Sequence, residues 1–223
     1  LEVQIQTTVF KRNYDEIPEI VAFASDKGVK VFNLFFLVCT GRGQDLTDIT
    51  PEQYENALQQ IYKLHTQYEG RMLVSAKCAP HYRRVAYEMN PESALLKYYS
   101  CGCPAGTNYV RITPEGNVTP CPYMDTSCGN LREKSFREIW NSSKVLEELR
   151  NANLKGRCGE CEFVSICKGC RARALATTGD QMAEDSWCDY KPGKYGGKKI
   201  MLKPENTFGL KRDFELSWSE DAK

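Results

Sequence analysis

Four cysteines within thirteen residues are the chemically most informative feature of this sequence. They lie in the stretch CGECEFVSICKGC, residues 158–170, with the spacing Cys-x2-Cys-x5-Cys-x2-Cys. Thiolates bind zinc or iron–sulfur clusters, and both kinds of site use four sulfurs around one centre. The stretch could complete one zinc site by itself, or it could divide its sulfurs between two sites.

The remaining cysteines favour two metal sites. The chain has eleven cysteines, and nine of them lie between residues 101 and 188. One site within the stretch would leave five of the nine idle, in turn-rich sequence where burial as apolar side chains is hard to argue. These five are Cys101, Cys103, Cys121, Cys128 and Cys188. The odd total and the lack of a recognisable export signal argue against disulfides, but spacing alone does not choose between zinc and iron.

The composition of the chain excludes several classes of function. It has 223 residues, of which 41% are hydrophobic and 26% charged, and its formal net charge is +1. The near-zero charge provides no attraction for nucleic acid or for an anionic membrane. No apolar run approaches the length that spans a bilayer. We therefore expect a cytoplasmic globular protein without nucleic-acid or membrane partners.

Three strands that alternate with two helices are predicted over about the first ninety residues. The strands are the β-branched and aromatic runs Val3–Phe10, Val31–Val38 and Met72–Ala76. A βαβαβ unit of this size has parallel strands and is half of a barrel or of an open sheet. Because the pattern starts at the first residue, we expect the chain to be a fragment of a longer protein.

Local signals place the ends of the two helices. Asn13 is positioned to cap the first helix, and Gly28 is positioned to end it. Thr50 and Gln53 form a capping box for the second helix, with proline at its first position. His65 falls on the apolar stripe of that helix, and we interpret it as a partly buried histidine with a hydrogen-bond partner.

Ligands of such a sheet meet the C-terminal ends of its strands, so the residues there are candidate binding residues. They are Gly41, Arg42 and Gly43 after the second strand, and His81, Arg83 and Arg84 after the third. The first three could approach a cofactor or pair with a carboxylate, or they could form a tight turn. The second three could bind an anionic substrate, or they could open a solvated basic helix. Cys39 and Cys78 are interpreted as small buried thiols.

The sequence changes character from about Tyr99. A hairpin is predicted around the turn Pro114-Glu115-Gly116-Asn117, and Ser135 with Glu138 opens a short helix. The cysteine stretch follows, and the Gly- and Lys-rich sequence from Lys191 predicts a solvated linker. We therefore divide the chain into residues 1–98, 99–190 and 191–223, and we expect the last part to combine a basic linker with the start of a further C-terminal domain.

The order of cysteines in the second part resembles that of the SPASM domain of radical S-adenosylmethionine (radical SAM) enzymes. The matching pattern is Cys103-x12-Gly116-x4-Cys121, the stretch 158–170, and Cys188, although the family's common form has three residues before the last cysteine of the stretch. The resemblance implies two [4Fe–4S] clusters. One would be bound by Cys103, Cys121 and Cys170, with Cys101, Cys128 or an open iron completing it and Cys101 favoured. The other would be bound by Cys158, Cys161, Cys167 and Cys188.

The same resemblance implies the fold of the first part. It would be α/β, the second half of a partial (β/α)6 radical SAM barrel, followed by a small, loop-rich α+β SPASM domain. The motif Cys-x3-Cys-x2-Cys that binds the catalytic cluster is absent from this sequence. We expect it in an N-terminal half outside this chain, so the activity would belong to the parent protein.

The amino-acid sequences of three segments resemble the branch of the family that modifies tetrapyrroles in alternative haem and haem d1 biosynthesis. The segments are FLVCTGRG, GCPAGTNYVRITPEGNVTPCPYM and CKGCRARALATTGDQMAEDSWC. The resemblance implies S-adenosylmethionine as cofactor, Fe-coproporphyrin or a similar haem precursor as substrate, and ferredoxin or flavodoxin as electron donor. A propionate would lose a hydrogen atom to a 5′-deoxyadenosyl radical and then CO2 and an electron, which the auxiliary clusters would accept.

Two other functions stay open from the sequence. A peptide or another cofactor precursor could replace the tetrapyrrole as substrate, and a zinc module could bind a protein partner without catalysis. Arg171 and Arg173 follow the stretch closely. They could neutralise cluster charge, or they could be exposed on a short helix.

Overall fold

A parallel three-stranded sheet forms the first part of the computed structural model, which describes residues 2–38, 40–41, 49–97 and 102–202. The strands β1 (Gln4–Val9), β2 (Val31–Phe36) and β3 (Leu73–Lys77) lie in the order β1-β2-β3. Their register pairs Gln4 with Val31 and Val31 with Leu73. The predicted βαβαβ unit is confirmed.

Four helices connect and follow these strands. They are α1 (Ile17–Asp26), α2 (Pro51–Gln67), α3 (Tyr82–Met89) and α4 (Ala94–Lys97). The capping box of α2 is present, because the Thr50 hydroxyl accepts from the Gln53 N–H and the Gln53 side chain accepts from the Thr50 N–H. Within the described residues, no helix is both long enough and apolar enough to cross a membrane.

The predicted cap of α1 is wrong. The helix begins after Glu16, whose side chain makes no capping hydrogen bond. Asn13 instead accepts from the Phe10 N–H at 3.0 Å and donates to the Thr8 carbonyl at 2.9 Å. Asparagine often bonds its own loop backbone in this way, and here it shapes the loop that leaves β1 rather than the helix. Gly28 follows the last turn with φ +75°, as predicted.

The sheet and its helices share one apolar core. Phe32, Leu34 and Phe36, on one face of β2, are at most 1% exposed, and Asn33 on the opposite face is 4% exposed. Tyr54 of α2 packs edge-on against Phe36. Trp187 also belongs to this core, although it comes from the cysteine-rich part of the chain. Each fully buried side chain of this size contributes about 1.5–3 kcal/mol to folding.

The cysteine-rich part contains a small antiparallel sheet and four short helices. Strands β4 (Arg111–Ile112) and β5 (Asn117–Thr119) form the predicted hairpin, and β6 (Gly129–Asn130) pairs with β5. Gly116 turns the hairpin at φ +89°, a backbone conformation that favours glycine. The helices are α5 (Phe136–Ser142), α6 (Lys144–Asn151), α7 (Gly156–Glu160) and α8 (Arg171–Thr178). Ser135 and Glu138 form the predicted capping box of α5.

The predicted solvated linker is packed against the protein over its described part. The buried Glu162 carboxylate accepts from the Gly193 N–H at 2.7 Å and from the Tyr195 N–H at 3.1 Å. Tyr195 contacts the Phe163 ring edge-on, with 5.3 Å between ring centroids. The Gly- and Lys-rich composition of this segment predicted a linker. The aromatic and backbone contacts that hold it leave no periodic pattern in the sequence. The tail 203–223 lies outside the described residues.

Glu162→Ala is expected to release residues 190–202 from the body of the protein. Each hydrogen bond to this buried carboxylate is worth about 1.5–3 kcal/mol, so opening should become at least about tenfold more frequent. Limited trypsin digestion at Lys194 and Lys199 measures this. The control is Glu160→Ala, two residues away and exposed. Equal cleavage rates in the two variants would mean that Glu162 does not hold the segment.

Candidate iron–sulfur sites

Four cysteines from three separate segments line one cavity. Cys158 lies in α7, Cys161 ends that helix, Cys167 lies in the loop before α8, and Cys188 follows α8 in sequence. The cavity is partly open and has about 410 Å³ of space outside protein atoms, a volume that includes open solvent. The structure therefore brings together the four residues that the resemblance assigns to one cluster. We call this group the second cysteine set.

Hydrogen-bond donors surround the sulfurs of this set. The backbone N–H of Phe163 points to Cys161 Sγ and that of Gly169 to Cys167 Sγ, both at 3.4 Å. The Arg171 guanidinium lies 3.9 Å from Cys158 Sγ. Donors of this kind stabilise thiolate charge and tune cluster potentials, so the surroundings suit negatively charged sulfurs.

Arg84 is the buried cation of the same cavity. It lies on α3, is 3% exposed and also lines the cavity. Its guanidinium is held by the Glu55 and Glu88 carboxylates, with Nη1 2.9 Å from Glu55 and 2.6 Å from Glu88. Burial raises the pKa of the Cys188 thiol to about 12, while the Arg84 charge acts in the opposite direction. An iron centre would replace the thiol protons here, since only thiolates bind metal.

His81 lies beside this cavity but is closed in by protein. It is 1% exposed, and its Nδ1 is 3.0 Å from the Tyr54 hydroxyl. Burial lowers the pKa of His81 to about 3, so the ring is neutral. His81 and Arg84 are buried next to the second cysteine set. Their position therefore favours a role at that set over contact with a tetrapyrrole. Arg83 is half-buried on the same helix, and its role in substrate binding stays a prediction.

Three further cysteines meet in a separate cluster. Cys103, Cys121 and Cys170 pack together with Val38 of the barrel part and with Met124 and Ala172. We call these three the first cysteine set. Cys103 and Cys170 are buried, and burial raises the pKa of both Cys121 and Cys170 to about 12. The hairpin positions Cys121, and the start of α8 positions Cys170.

The buried carboxylate of Asp185 lies between the two sets. It lines the cavity of the second set, and its Oδ2 accepts from the Cys170 N–H at 2.6 Å. The same oxygen accepts from Arg173 Nη1 at 2.9 Å and lies 3.6 Å from His81 Nε2. Burial opposes ionisation, but the Arg173 charge and the backbone N–H donors of Cys170 and Trp187 outweigh it and hold the pKa of Asp185 below its usual value. The sequence analysis missed this residue, and only its position three residues before Cys188 distinguishes it.

Arg171 and Arg173 are buried, so the alternative of exposed arginines on α8 is wrong. Arg171 donates to the Gln181 and Ala183 carbonyls at 2.8 and 2.7 Å. Arg173 is 0% exposed and stacks over the Trp187 ring at 4.2 Å from its centroid. Buried cations of this kind need partners, and here the partners are carbonyls, an aromatic ring and Asp185.

The other predicted site residues are placed as follows. Gly41 is exposed at φ +54°, while Arg42, Gly43, Cys39 and Cys101 lie outside the described residues. The half-buried His65 bonds the Val74 carbonyl at 3.0 Å, as predicted. Cys128 is close to the Thr126 carbonyl and to Arg150, and it belongs neither to the apolar cluster of the first set nor to the cavity lining of the second.

The two cysteine sets provide thiolates, which are the ligands of iron–sulfur clusters. Among the described residues, no three Cys, His, Asp or Glu side chains converge on a single metal ion. In a four-iron cluster each thiolate binds a different iron, so the sulfurs need not converge on one point. The assignment of individual cysteines to clusters stays a prediction.

Comparison with known proteins supports iron–sulfur binding. A family model for an iron–sulfur cluster-binding domain, SPASM, matches residues 101–171. The chain is 40% identical over 200 residues to the AdoMet-dependent heme synthase of Methanosarcina barkeri, over 86% of this chain and 57% of that protein. It is 28% identical to the pre-heme d1 synthase of Dinoroseobacter shibae, over 84% of this chain and 52% of that protein. The chain thus spans little more than half the length of these relatives.

A solved structure has the same fold. Streptococcus suis SuiB, crystallised with S-adenosylmethionine, matches with a TM-score of 0.61 at 19% identity, over 85% of this chain and 45% of SuiB. The likeness confirms the predicted fold, which is part of a barrel followed by a cysteine-rich domain.

Proposed function

Because this chain belongs to the radical SAM proteins that carry a SPASM domain, we propose that it is part of an enzyme that modifies a tetrapyrrole in haem biosynthesis. The observation that carries the proposal is the 40% identity to a protein named AdoMet-dependent heme synthase, over most of this chain. The cavity lined by four cysteines supports it, because such an enzyme needs auxiliary clusters in this part of the fold.

We propose oxidative decarboxylation of propionates on Fe-coproporphyrin as the reaction. Bound S-adenosylmethionine would supply the radical chemistry that removes one hydrogen atom from the propionate. One electron and CO2 then leave the same side chain, and a vinyl group remains. The reaction therefore needs an electron acceptor near the substrate, and bound [4Fe–4S] clusters would supply that one-electron chemistry.

The residues of this chain would hold and insulate those clusters. Cys103, Cys121 and Cys170 would bind one, and the second cysteine set would bind the other. Arg84 and Arg171 would offset the negative charge of the second cluster, because Arg84 lines its cavity and the Arg171 guanidinium lies 3.9 Å from Cys158 Sγ. Phe163 and Tyr190 would limit water access there, which influences cluster potential.

Sequence outside this chain would also take part in the proposed function. The catalytic cluster and most contacts to S-adenosylmethionine would come from sequence outside this chain. Gly41, Arg42 and Gly43 would contribute a contact to the cofactor or to a propionate. Ferredoxin or flavodoxin would deliver the electron that starts the reaction.

The proposal is tested on the full-length gene product that contains this sequence. After anaerobic reconstitution, the residues of this chain should account for about eight iron and eight sulfide. Incubation with S-adenosylmethionine, reductant and Fe-coproporphyrin should release CO2 and form vinyl groups. Zinc without sulfide would reject the enzyme reading in favour of an interaction module, and clusters without turnover of any porphyrin would favour a peptide substrate.

Cys158→Ala and Cys103→Ala are each expected to remove about half of the auxiliary iron, because the two residues would serve different clusters. The measurement is iron and sulfide per chain after reconstitution, together with the unfolding midpoint. Cys128→Ala is the control, since Cys128 neither packs in the apolar cluster of the first set nor lines the cavity of the second. If either of the first two variants empties both sites while its fold is intact, the ligand partition is wrong.

A further inference from the structure

The first cysteine set supplies three sulfurs, and a four-iron cluster has four irons to bind. The chain must therefore provide a fourth ligand, or one iron stays open. Cysteines outside the two sets are the natural candidates. Among the described residues there are two of them, Cys78 and Cys128.

Cys78 lies against the first cysteine set. Together with Tyr123, it packs against the same cluster as Cys103, Cys121 and Cys170. It follows directly on Lys77, the last residue of β3, so it stands at the end of the sheet where ligands of such folds bind. The barrel part and the cysteine-rich part therefore meet at this sulfur.

The backbone of Cys78 is held in an unusual conformation. Its φ is +53°, in the left-handed region that residues other than glycine rarely adopt. Arg173 donates to the Cys78 carbonyl at 3.1 Å, and this bond ties the residue to helix α8, which begins just after Cys170. Backbone strain of this kind is concentrated at functional sites, where the surrounding structure maintains it.

Cys128 has different surroundings. Its sulfur lies 3.9 Å from the Thr126 carbonyl, and its charged neighbour is Arg150. It does not belong to the apolar cluster that contains the first cysteine set. Of the two described candidates, only Cys78 is positioned to reach a cluster held by that set.

We propose that Cys78 is the fourth ligand of the cluster bound by Cys103, Cys121 and Cys170. The inference rests on the proposed function for the presence of that cluster. It implies that the cluster is bound across the junction of the two parts of the fold, with one iron attached to the end of strand β3. That iron would then have no open position for a substrate or an external ligand.

The test compares Cys78→Ala, Cys78→Ser, Cys101→Ala and the control Cys128→Ala in the full-length protein. Excess S-adenosylmethionine occupies the open iron of the catalytic cluster. Cyanide, which binds only an iron that lacks a protein ligand, is then added. The readouts are iron and sulfide per chain and the electron paramagnetic resonance spectrum of the reduced clusters.

We expect cyanide to leave the auxiliary signals of the unmodified protein and of Cys128→Ala unchanged. Cys78→Ala should lose up to about four iron or gain a signal that cyanide shifts. Should the alanine variant fail to fold, Cys78→Ser still tests the inference. Serine is close to cysteine in size, and its oxygen binds iron more weakly than the sulfur does. If Cys78→Ser retains its iron and its auxiliary signal shifts, the inference is supported. An unchanged auxiliary signal in this variant overturns it.

Two other outcomes overturn the inference and leave the proposed function standing. One is an auxiliary cluster whose signal responds to cyanide in Cys101→Ala, while the auxiliary signals of Cys78→Ala do not respond. The other is cyanide binding to an auxiliary cluster of the unmodified protein, which means that one iron is open. Zinc without sulfide in the unmodified protein, by contrast, removes the proposed function and the inference together.

Discussion

Asp185→Asn is expected to destabilise the whole chain by about 3–5 kcal/mol and to lower the iron content of both predicted clusters. The carboxylate is 0% exposed, and it neutralises the fully buried guanidinium of Arg173. Removing one partner of a buried ion pair leaves the other charge uncompensated, which costs far more than the pair itself contributes. The amide keeps the shape of the side chain, so the loss would come from charge.

The measurement is urea unfolding of the anaerobically reconstituted protein, followed by iron and sulfide analysis. Asp180→Asn is the matched control, because Asp180 pairs with Lys155 at the surface, where ion pairs contribute little. A second variant, Asp185→Asn with Arg173→Met, removes both charges and should recover part of the loss. Unfolding of the single variant at the same urea concentration as the control would contradict a central role for Asp185.

Gly102→Ala is expected to disrupt the backbone contact between the two cysteine sets. A Cβ atom at residue 102 would overlap the carbonyl oxygen of Cys167. The next residue donates its N–H to that same oxygen, at 3.2 Å between Cys103 N and Cys167 O. Backbone cannot move aside as a flexible side chain can, so we expect a loss of about 3 kcal/mol and impaired cluster loading.

The control for Gly102→Ala is Gly179→Ala. Gly179 ends α8 at φ +75°, and a Cβ atom there would meet nothing within 4 Å. This control therefore carries backbone strain of about 1 kcal/mol without a collision. Thermal unfolding and iron content are compared in the two variants. Equal losses would show that the close approach at residue 102 is relaxed at little cost.

Local sequence signals predicted the elements of this fold well. The runs around Val31 and Leu73 became adjacent parallel strands, and the capping boxes at Thr50 and Ser135 opened helices. Such signals depend on a few neighbouring residues, so they can be read without tertiary structure. Asn13 was misread because the same side chain can cap a helix or bond its own loop, and only the folded loop decides.

The surroundings of the cysteines could not be predicted in the same way. Arg84 and His81 were predicted either to bind an anionic substrate or to open a solvated helix, because they follow a strand. Both are buried beside the second cysteine set, so the solvated alternative is wrong for them. Arg173 meets Asp185 and Trp187 through contacts between distant segments. Periodicity and spacing do not record such contacts, and neither Asp185 nor the proximity of Cys78 to Cys170 leaves a local pattern.

The position of Trp187 has a consequence for modularity. Its ring contacts Tyr54 of α2, in the barrel part, at 5.3 Å between centroids, and Arg173 of its own cysteine-rich part stacks on it. The cysteine-rich segment therefore completes the core of the barrel half instead of folding beside it. A chimera that exchanges this segment with that of a relative would have to carry matching residues at positions 54, 173 and 187. Recombination at residue 98 alone, although it respects the boundary in sequence, would divide a single cooperative unit.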